Sequence, residues 1–108
     1  MIDAVGRLRL DYTPAFLAYL TRRDEAGLRM AYELGRRAMV NEVSMLDLVQ
    51  VHHAVFLNVL TTVKSSEELQ DLACAAAAFL VEALASFEMT QRGFVEKTSD
   101  ARHRRDEN

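Results

Sequence analysis

Residues 69–94 read LQDLACAAAAFLVEALASFEMTQRGF, and this stretch decides the fold. Seven of its apolar residues recur mainly at spacings of three and four, which places them on one face of an α-helix. They are Leu69, Leu72, Ala76, Phe79, Ala83, Phe87 and Phe94. The stretch therefore predicts the longest helix of the protein.

The two ends of this helix have different signals. Ser65 and Glu68 form an S-x-x-E capping box, which is typical of a helix N-terminus. After Phe94 the apolar pattern weakens, and residues 95–108 contain four basic and four acidic residues. We therefore divide the chain into a helical domain over residues 1–95 and a polar tail, or the start of a linker helix, over residues 96–108.

Two further helices are predicted upstream. The first runs from about Ile2 to Arg22, and Pro14 either kinks it or begins a new helix capped by Thr13. We favour one kinked helix because the same apolar stripe continues across the proline. The second begins after Asp24, a good N-cap, and contains Gly35. A glycine in a helix costs about 1 kcal/mol relative to alanine, so a second helix is expected to pass close to Gly35.

The end of the second helix carries two weaker signals. Asn41 is predicted to end it in the left-handed conformation. Glu33 and Arg37 are predicted to form an i,i+4 ion pair on its polar side.

A third helix begins after Ser44, runs to about Val63, and is apolar on more than one side. One stripe contains Leu46, Val49, His53, Phe56, Leu57 and Leu60, and the other contains Leu48, Val51, Val55 and Val59. A helix of this kind is either buried centrally or shared with a partner molecule.

Short connections join the four helices, near residues 22–24, 41–44 and 63–66. Such connections make sequential helices antiparallel neighbours. The sequence thus predicts an all-α, antiparallel four-helix bundle-like domain with a long C-terminal helix.

Composition excludes several classes of function. The 108 residues suit one domain, and 13 basic against 16 acidic residues argue against nucleic-acid binding. The start has no apolar signal-peptide region, and the apolar run near residues 72–81 is shorter than the roughly 20 residues of a membrane span. The single cysteine, Cys74, cannot form an internal disulfide and is expected to be buried and inert. A cytoplasmic protein without a membrane contact is predicted.

The sequence contains little catalytic chemistry. His52 and His53 are adjacent, so they diverge by about 100° around a helix, whereas metal-binding histidines on one helix face are normally i,i+4. One of the two is expected to face the helix interface and the other solvent. No phosphate loop, nucleophile motif or metal motif is present. We predict no catalytic residues, no metal, no cofactor and no enzyme activity. An alternative is a small-ligand sensor in which His52, His53 and Tyr32 line a pocket between helices.

Two blocks carry a resemblance to a known family: RDEAGLRMAYELGRRAMVNEVSMLDLVQVHHAVF at 23–56 and FLVEALASFEMTQRGF at 79–94. Together they resemble the N-terminal domain of RsbU-type phosphatases, which regulate bacterial stress responses by partner switching and act on sigma-factor regulation. The resemblance implies an all-α, dimeric, non-catalytic module. It also implies a switch-kinase partner of the RsbT type and an effector, either a PP2C-like phosphatase or a histidine kinase.

The resemblance also implies positions for partner binding and signal relay. The partner groove is expected between the second and last helices, at Arg29, Val81 and Ala85. We further expect the last helix to leave the domain along the stretch SFEMTQRGF at 86–94 and to carry the signal through Phe87, Glu88, Met89 and Phe94.

Overall fold

The computed structural model describes the backbone of residues 2–107 and the side chains of residues 2–97. Four helices follow one another: α1 (Ala4–Arg22), α2 (Glu25–Val40), α3 (Met45–Leu60) and α4 (Ser66–Glu107). No strand occurs in the described backbone. The predicted all-α class and the long last helix are confirmed.

Each helix begins where a side-chain oxygen accepts a hydrogen bond from the backbone N–H three residues later. The donor–acceptor distances are between 2.7 and 3.1 Å, and the capping residues are Asp3, Asp24, Ser44 and Ser65. Glu68 Oε2 also accepts a bond from the Lys64 N–H at 3.0 Å, one residue before the N-cap. The Ser65 arm of the predicted capping box therefore forms, and the Glu68 arm reaches the N–H before the one that a capping box uses. The caps explain why the breaks fall where the sequence places them.

Of two predictions about Pro14 in α1 and Asn41 after α2, one is confirmed and one is wrong. Pro14 lies inside α1, which continues through it as one helix. Asn41 is not left-handed, with φ −87°, whereas the next residue, Glu42, has φ 62°. The Asn41 N–H still bonds to the Arg37 carbonyl at 2.9 Å, so the helical path continues one residue further and the reversal falls on Glu42.

An aromatic cluster occupies the centre of the core. It contains Tyr12, Phe16 and Tyr19 from α1, His52 from α3 and Phe79 from α4, all of them buried. Phe79 makes edge-on contacts with Tyr12 and Phe16 at ring-centroid distances of 5.2 and 5.4 Å. Such geometries are favourable for aromatic pairs, so one ring of α4 joins the long helix to α1.

Small residues dominate the contact between α2 and α4. We call Ala31, Gly35, Ala38, Ala83 and Ser86 the small-residue seam, and all five are buried. A Cβ added to Gly35 would lie 2.8 Å from the carbonyl carbon of Ala83 and would also meet Ser86 Oγ. The predicted close approach of another helix at Gly35 is confirmed.

The two apolar stripes of α3 lie on different sides of the domain. The stripe of Leu48, Val51 and Val55 is buried in the core. The other stripe, Leu46, Val49, His53, Phe56, Leu57 and Leu60, is exposed or half-buried, and we call it the outer stripe. Leu46, for example, exposes 66% of its surface. The outer stripe has more apolar surface than one chain covers.

Helix α4 combines great length with an apolar composition. Within the described residues, Ser66–Lys97 is one helical stretch long and apolar enough to cross a membrane by length and composition. This differs from the expectation based on residues 72–81. In this fold the apolar face of α4 is buried against the other helices through Leu72, Ala76, Phe79, Ala83 and Phe87. The core helix of a soluble protein passes the same test of length and composition, so the stretch is weak evidence for a membrane span.

Two side-chain predictions are wrong. Glu33 pairs with Arg36, whose Nη2 donates at 3.0 Å, while Arg37 turns towards Asp11 of α1 at 3.8 Å. Cys74 is exposed rather than buried. Its neighbours Ala75 and Ala76 face the core, and a step of one residue turns a side chain about 100° around the helix, so Cys74 points outwards.

Candidate partner-binding groove

The small-residue seam fixes the position of α4 beside α2. Ser86 Oγ donates a hydrogen bond to the Tyr32 carbonyl oxygen at 2.6 Å, across the two helices. The hydroxyl is fully buried, and the absence of a side chain at Gly35 allows this approach. The hydrogen bond joins α2 at Tyr32 to α4 at Ser86, next to the close contact at Gly35.

A groove of about 320 Å³ lies along this contact. Glu25, Leu28, Arg29 and Tyr32 line it from α2, and Glu82 lines it from α4. Among the described residues, Glu25, Arg29 and Glu82 take part in no ion pair, although all three border one groove. The groove therefore presents unpaired charges of both signs beside the apolar surfaces of Leu28 and Tyr32.

The predicted partner residues occupy neighbouring positions around this groove. Arg29 lines the groove, whereas Val81 and Ala85 lie beside it on the exposed side of α4. Val81, Ala85 and Met89 are spaced by four residues, so they form one strip along the helix, and we call them the α4 strip. Val81 exposes 63% and Met89 59% of its surface. The fold thus places an exposed apolar strip next to a charged groove.

The predicted relay residues do not share one surface. Phe87 is buried with 4% exposure and belongs to the core, whereas Phe94 is half exposed. Glu88 accepts a hydrogen bond from Arg92 Nη2 at 2.6 Å, an i,i+4 pair at the helix surface. Met89 belongs to the α4 strip. Among the side chains of α4 that the structure describes, Phe87 is the last buried one, and the helix backbone continues to Glu107 beyond it.

The two histidines separate as expected, with His52 buried and His53 exposed. A hydrogen bond of 2.5 Å joins His52 Nδ1 to Tyr12 Oη. Burial lowers the pKa of His52 to about 4, with a smaller contribution from the charge of His53. Burial also raises the pKa of Tyr12. His52 is therefore a neutral core residue at pH 7.

The structure does not bring His52, His53 and Tyr32 together in one pocket. His52 contacts the rings of Tyr12, Phe16 and Phe56, while Tyr32 borders the groove between α2 and α4. The alternative prediction, a ligand pocket lined by His52, His53 and Tyr32, is therefore wrong. Across the described residues, no three His, Cys, Asp or Glu side chains lie close enough to hold a metal ion.

Sequence reasoning did not identify Glu25, Leu28 or Glu82 as groove residues. Glu82 had a signal, because it is an acidic residue inside an otherwise apolar run at 79–85. An ionisable residue at the border of a buried helix face is typical of a contact site. Glu25 had no comparable signal, since an acid in the first turn of a helix is ordinary.

Comparisons with known proteins agree with this architecture. The model of the family described as "Phosphoserine phosphatase RsbU, N-terminal domain" matches residues 10–90, about three quarters of the 108-residue chain. Searches of curated proteins and of solved structures found no significant match. The matched segment covers most of α1, all of α2 and α3, and α4 past Phe87. The chain belongs to the family of RsbU N-terminal domains, which is the regulatory and not the catalytic part of a phosphatase.

Proposed function

We propose that this chain is a non-catalytic regulatory module that forms a homodimer and binds a switch kinase of the RsbT type. The partner occupies the groove between α2 and α4. The module transmits the binding signal to an effector in cytoplasmic partner switching, either a PP2C-like phosphatase or a histidine kinase. It binds neither nucleic acid nor a membrane.

The proposal rests on one observation: α4 contains the α4 strip and also extends beyond the packed part of the domain. Val81, Ala85 and Met89 are exposed where α4 is still held against α2. Beyond Phe87 the same helix extends to Glu107. A partner that presses on the α4 strip would act on a rigid element that continues towards an effector. Phe87, Glu88, Met89 and Phe94 are the proposed relay segment.

The proposed dimer surface is the outer stripe of α3. Its apolar side chains are uncovered in one chain, and isologous dimers commonly bury such a patch against its own copy. Light scattering coupled to size-exclusion chromatography should give a dimer at tens of micromolar. Leu57→Asp should give a monomer. A monomeric parent protein would contradict the proposed dimer.

The docking proposal is tested by titrating the chain with a purified RsbT-type kinase in a calorimeter. Val81→Asp and Ala85→Asp place a charge in the strip and should each weaken binding at least about tenfold, which corresponds to about 1.4 kcal/mol. Leu69→Asp is the matched control, because Leu69 is an exposed apolar residue of the same helix that lies on another face. If all three variants bind like the parent, the partner does not use the α4 strip.

A further inference from the structure

A second groove lies between α1 and α3 and shares no lining residue with the groove between α2 and α4. Its volume is about 360 Å³. Arg9, Thr13 and Leu17 line it from α1, and α3 contributes Val55, Asn58 and Val59 among others. Small-molecule sites have volumes of about 300–1,000 Å³ and mostly apolar linings with few polar groups. This groove is at the small end of that range.

The one charged group in the lining of the groove is a hydrogen-bond donor. Arg9 is the one charged residue in its lining, and no ion pair involves Arg9 among the described residues. The Thr13 hydroxyl donates to the Arg9 carbonyl oxygen at 2.9 Å, and the Thr62 hydroxyl donates to the Val59 carbonyl oxygen at 2.7 Å. The protons of both hydroxyls are thus already used. Arg9 and the Asn58 amide remain to bind a ligand, which favours an anionic acceptor.

The shape of the groove favours an elongated ligand. Arg9, Thr13 and Leu17 follow one another at intervals of four, and their Cα atoms span about 12 Å along α1 at 1.5 Å per residue. Leu17, Val55 and Val59 supply apolar surface in the same groove. A ligand with an anionic head at Arg9 and an apolar tail beside Leu17 would match both features.

A dimer through the outer stripe would leave this groove open. Asn58 in the groove and Leu60 in the outer stripe are two residues apart, which is roughly 160° around a helix of 3.6 residues per turn. The groove and the outer stripe are therefore on opposite flanks of α3. A site in the groove is also separate from the partner groove between α2 and α4.

We propose that the groove between α1 and α3 binds a small amphipathic carboxylate, such as a medium-chain fatty acid. The carboxylate pairs with Arg9 and accepts a hydrogen bond from Asn58. The alkyl chain lies against Leu17, Val55 and Val59. The site gives the module a small-molecule input in addition to its protein partner.

The test is calorimetric titration of the chain with sodium decanoate below its critical micelle concentration. We expect saturable binding of decanoate by the parent protein. Arg9→Gln should weaken this binding at least about tenfold, because it removes one charge-assisted pair. A tenfold change in affinity corresponds to about 1.4 kcal/mol. Decyltrimethylammonium, with the same chain and the opposite charge, should bind at least about tenfold more weakly. Arg9 is exposed, so its replacement leaves the fold intact, which circular dichroism checks.

Ala54→Phe is the second variant, since Ala54 lines the groove and a ring there would fill it. Ala18→Phe is its matched control, because Ala18 is exposed on α1 and is not part of the groove lining. We expect decanoate binding to be lost in the first variant and kept in the second. Equal affinity for the ammonium probe, or no saturable binding by the parent, overturns the proposal. So does a parent dimer that Leu17→Asp dissociates, because a second copy would then cover the groove.

Discussion

The contact between α2 and α4 and the contact between α1 and α3 are built on opposite principles. The first uses the small-residue seam, where a Cβ on Gly35 would touch the backbone of Ala83. The second uses rings, with Tyr12 and His52 centroids 5.8 Å apart. Small residues bring two helix backbones together in one register, whereas rings keep the axes apart and leave space at their flanks. The backbones of α2 and α4 are therefore in close contact, whereas a groove remains between α1 and α3.

The largest effect is expected at the ring that joins the two contacts. Phe79→Ala removes a fully buried side chain that contacts Tyr12, Phe16 and Tyr19. It should lower the free energy of unfolding by about 3–5 kcal/mol, the usual cost of deleting a core aromatic ring. Urea denaturation measures it. Phe94→Ala, on the exposed part of the same helix, should cost much less, and equal costs would show that the aromatic cluster is not the core.

The next largest effect is a pH dependence of the free energy of unfolding, which comes from His52 in the aromatic cluster. The pKa of His52 is about 4 in the folded protein and about 6.5 in an unfolded chain. Since the unfolded state binds the proton more readily, the contribution of His52 is complete above pH 7 and is lost as the pH falls towards 4. The total loss is about 3 kcal/mol at 1.36 kcal/mol per pKa unit.

Urea denaturation between pH 7.5 and 4 measures this slope. His52→Leu should remove the part of the slope that falls between pH 6.5 and 4, at the cost of an unpaired Tyr12 hydroxyl. His53→Gln should keep most of it, because His53 is exposed. A slope that persists in His52→Leu would mean that another group titrates on folding.

The small-residue seam is tested by two glycines in the same kind of element. Gly35→Ala should destabilise the protein by about 1–3 kcal/mol through overpacking, even though alanine is the better helix former. A Cβ on Gly93 would meet nothing within 4 Å, so Gly93→Ala should stabilise the protein by about 0.5–1 kcal/mol. Opposite signs in thermal unfolding would confirm that Gly35 marks a close helix contact. A stabilising Gly35→Ala would show that the seam can open without cost.

Local sequence signals predicted the fold well because the helices are determined locally. The caps at Asp24, Ser44 and Ser65 form as expected, and Gly35 correctly indicates a close neighbour. The errors fall where tertiary contacts decide. Arg37 turns to Asp11 of another helix, a partner that spacing along one helix does not indicate.

The site was predicted less completely than the fold. Arg29 lines the groove between α2 and α4, where its role in partner binding stays a prediction, and its acidic neighbours Glu25 and Glu82 were not recognised from the sequence. Glu25 and Glu82 are 57 positions apart in the sequence, and only the register set by the seam brings them to one groove. Sequence periodicity gives the face of each residue on its own helix. It does not give the axial offset between two helices.

That offset depends on Ser86, for which we expect the smallest effect. Its hydroxyl has one proton and lies 2.6 Å from the Tyr32 carbonyl oxygen and 3.1 Å from that of Ala83. Ser86→Ala leaves no buried group unpaired, because the Tyr32 carbonyl also accepts its own helical bond. The cost should therefore be about 0.5–1.5 kcal/mol. Thr90→Ala is the control, since the Thr90 hydroxyl bonds only within α4, to the Ser86 carbonyl.

Hydrogen exchange distinguishes a register role for Ser86 from a purely local one. If the hydroxyl holds α2 and α4 in register, Ser86→Ala should speed amide exchange in both helices near Tyr32 and Ala83, whereas Thr90→Ala should affect α4 alone. Exchange that changes in α4 alone for both variants would mean that backbone contact at Gly35 is sufficient to set the offset. The small-residue seam would then need no polar bond to position the groove.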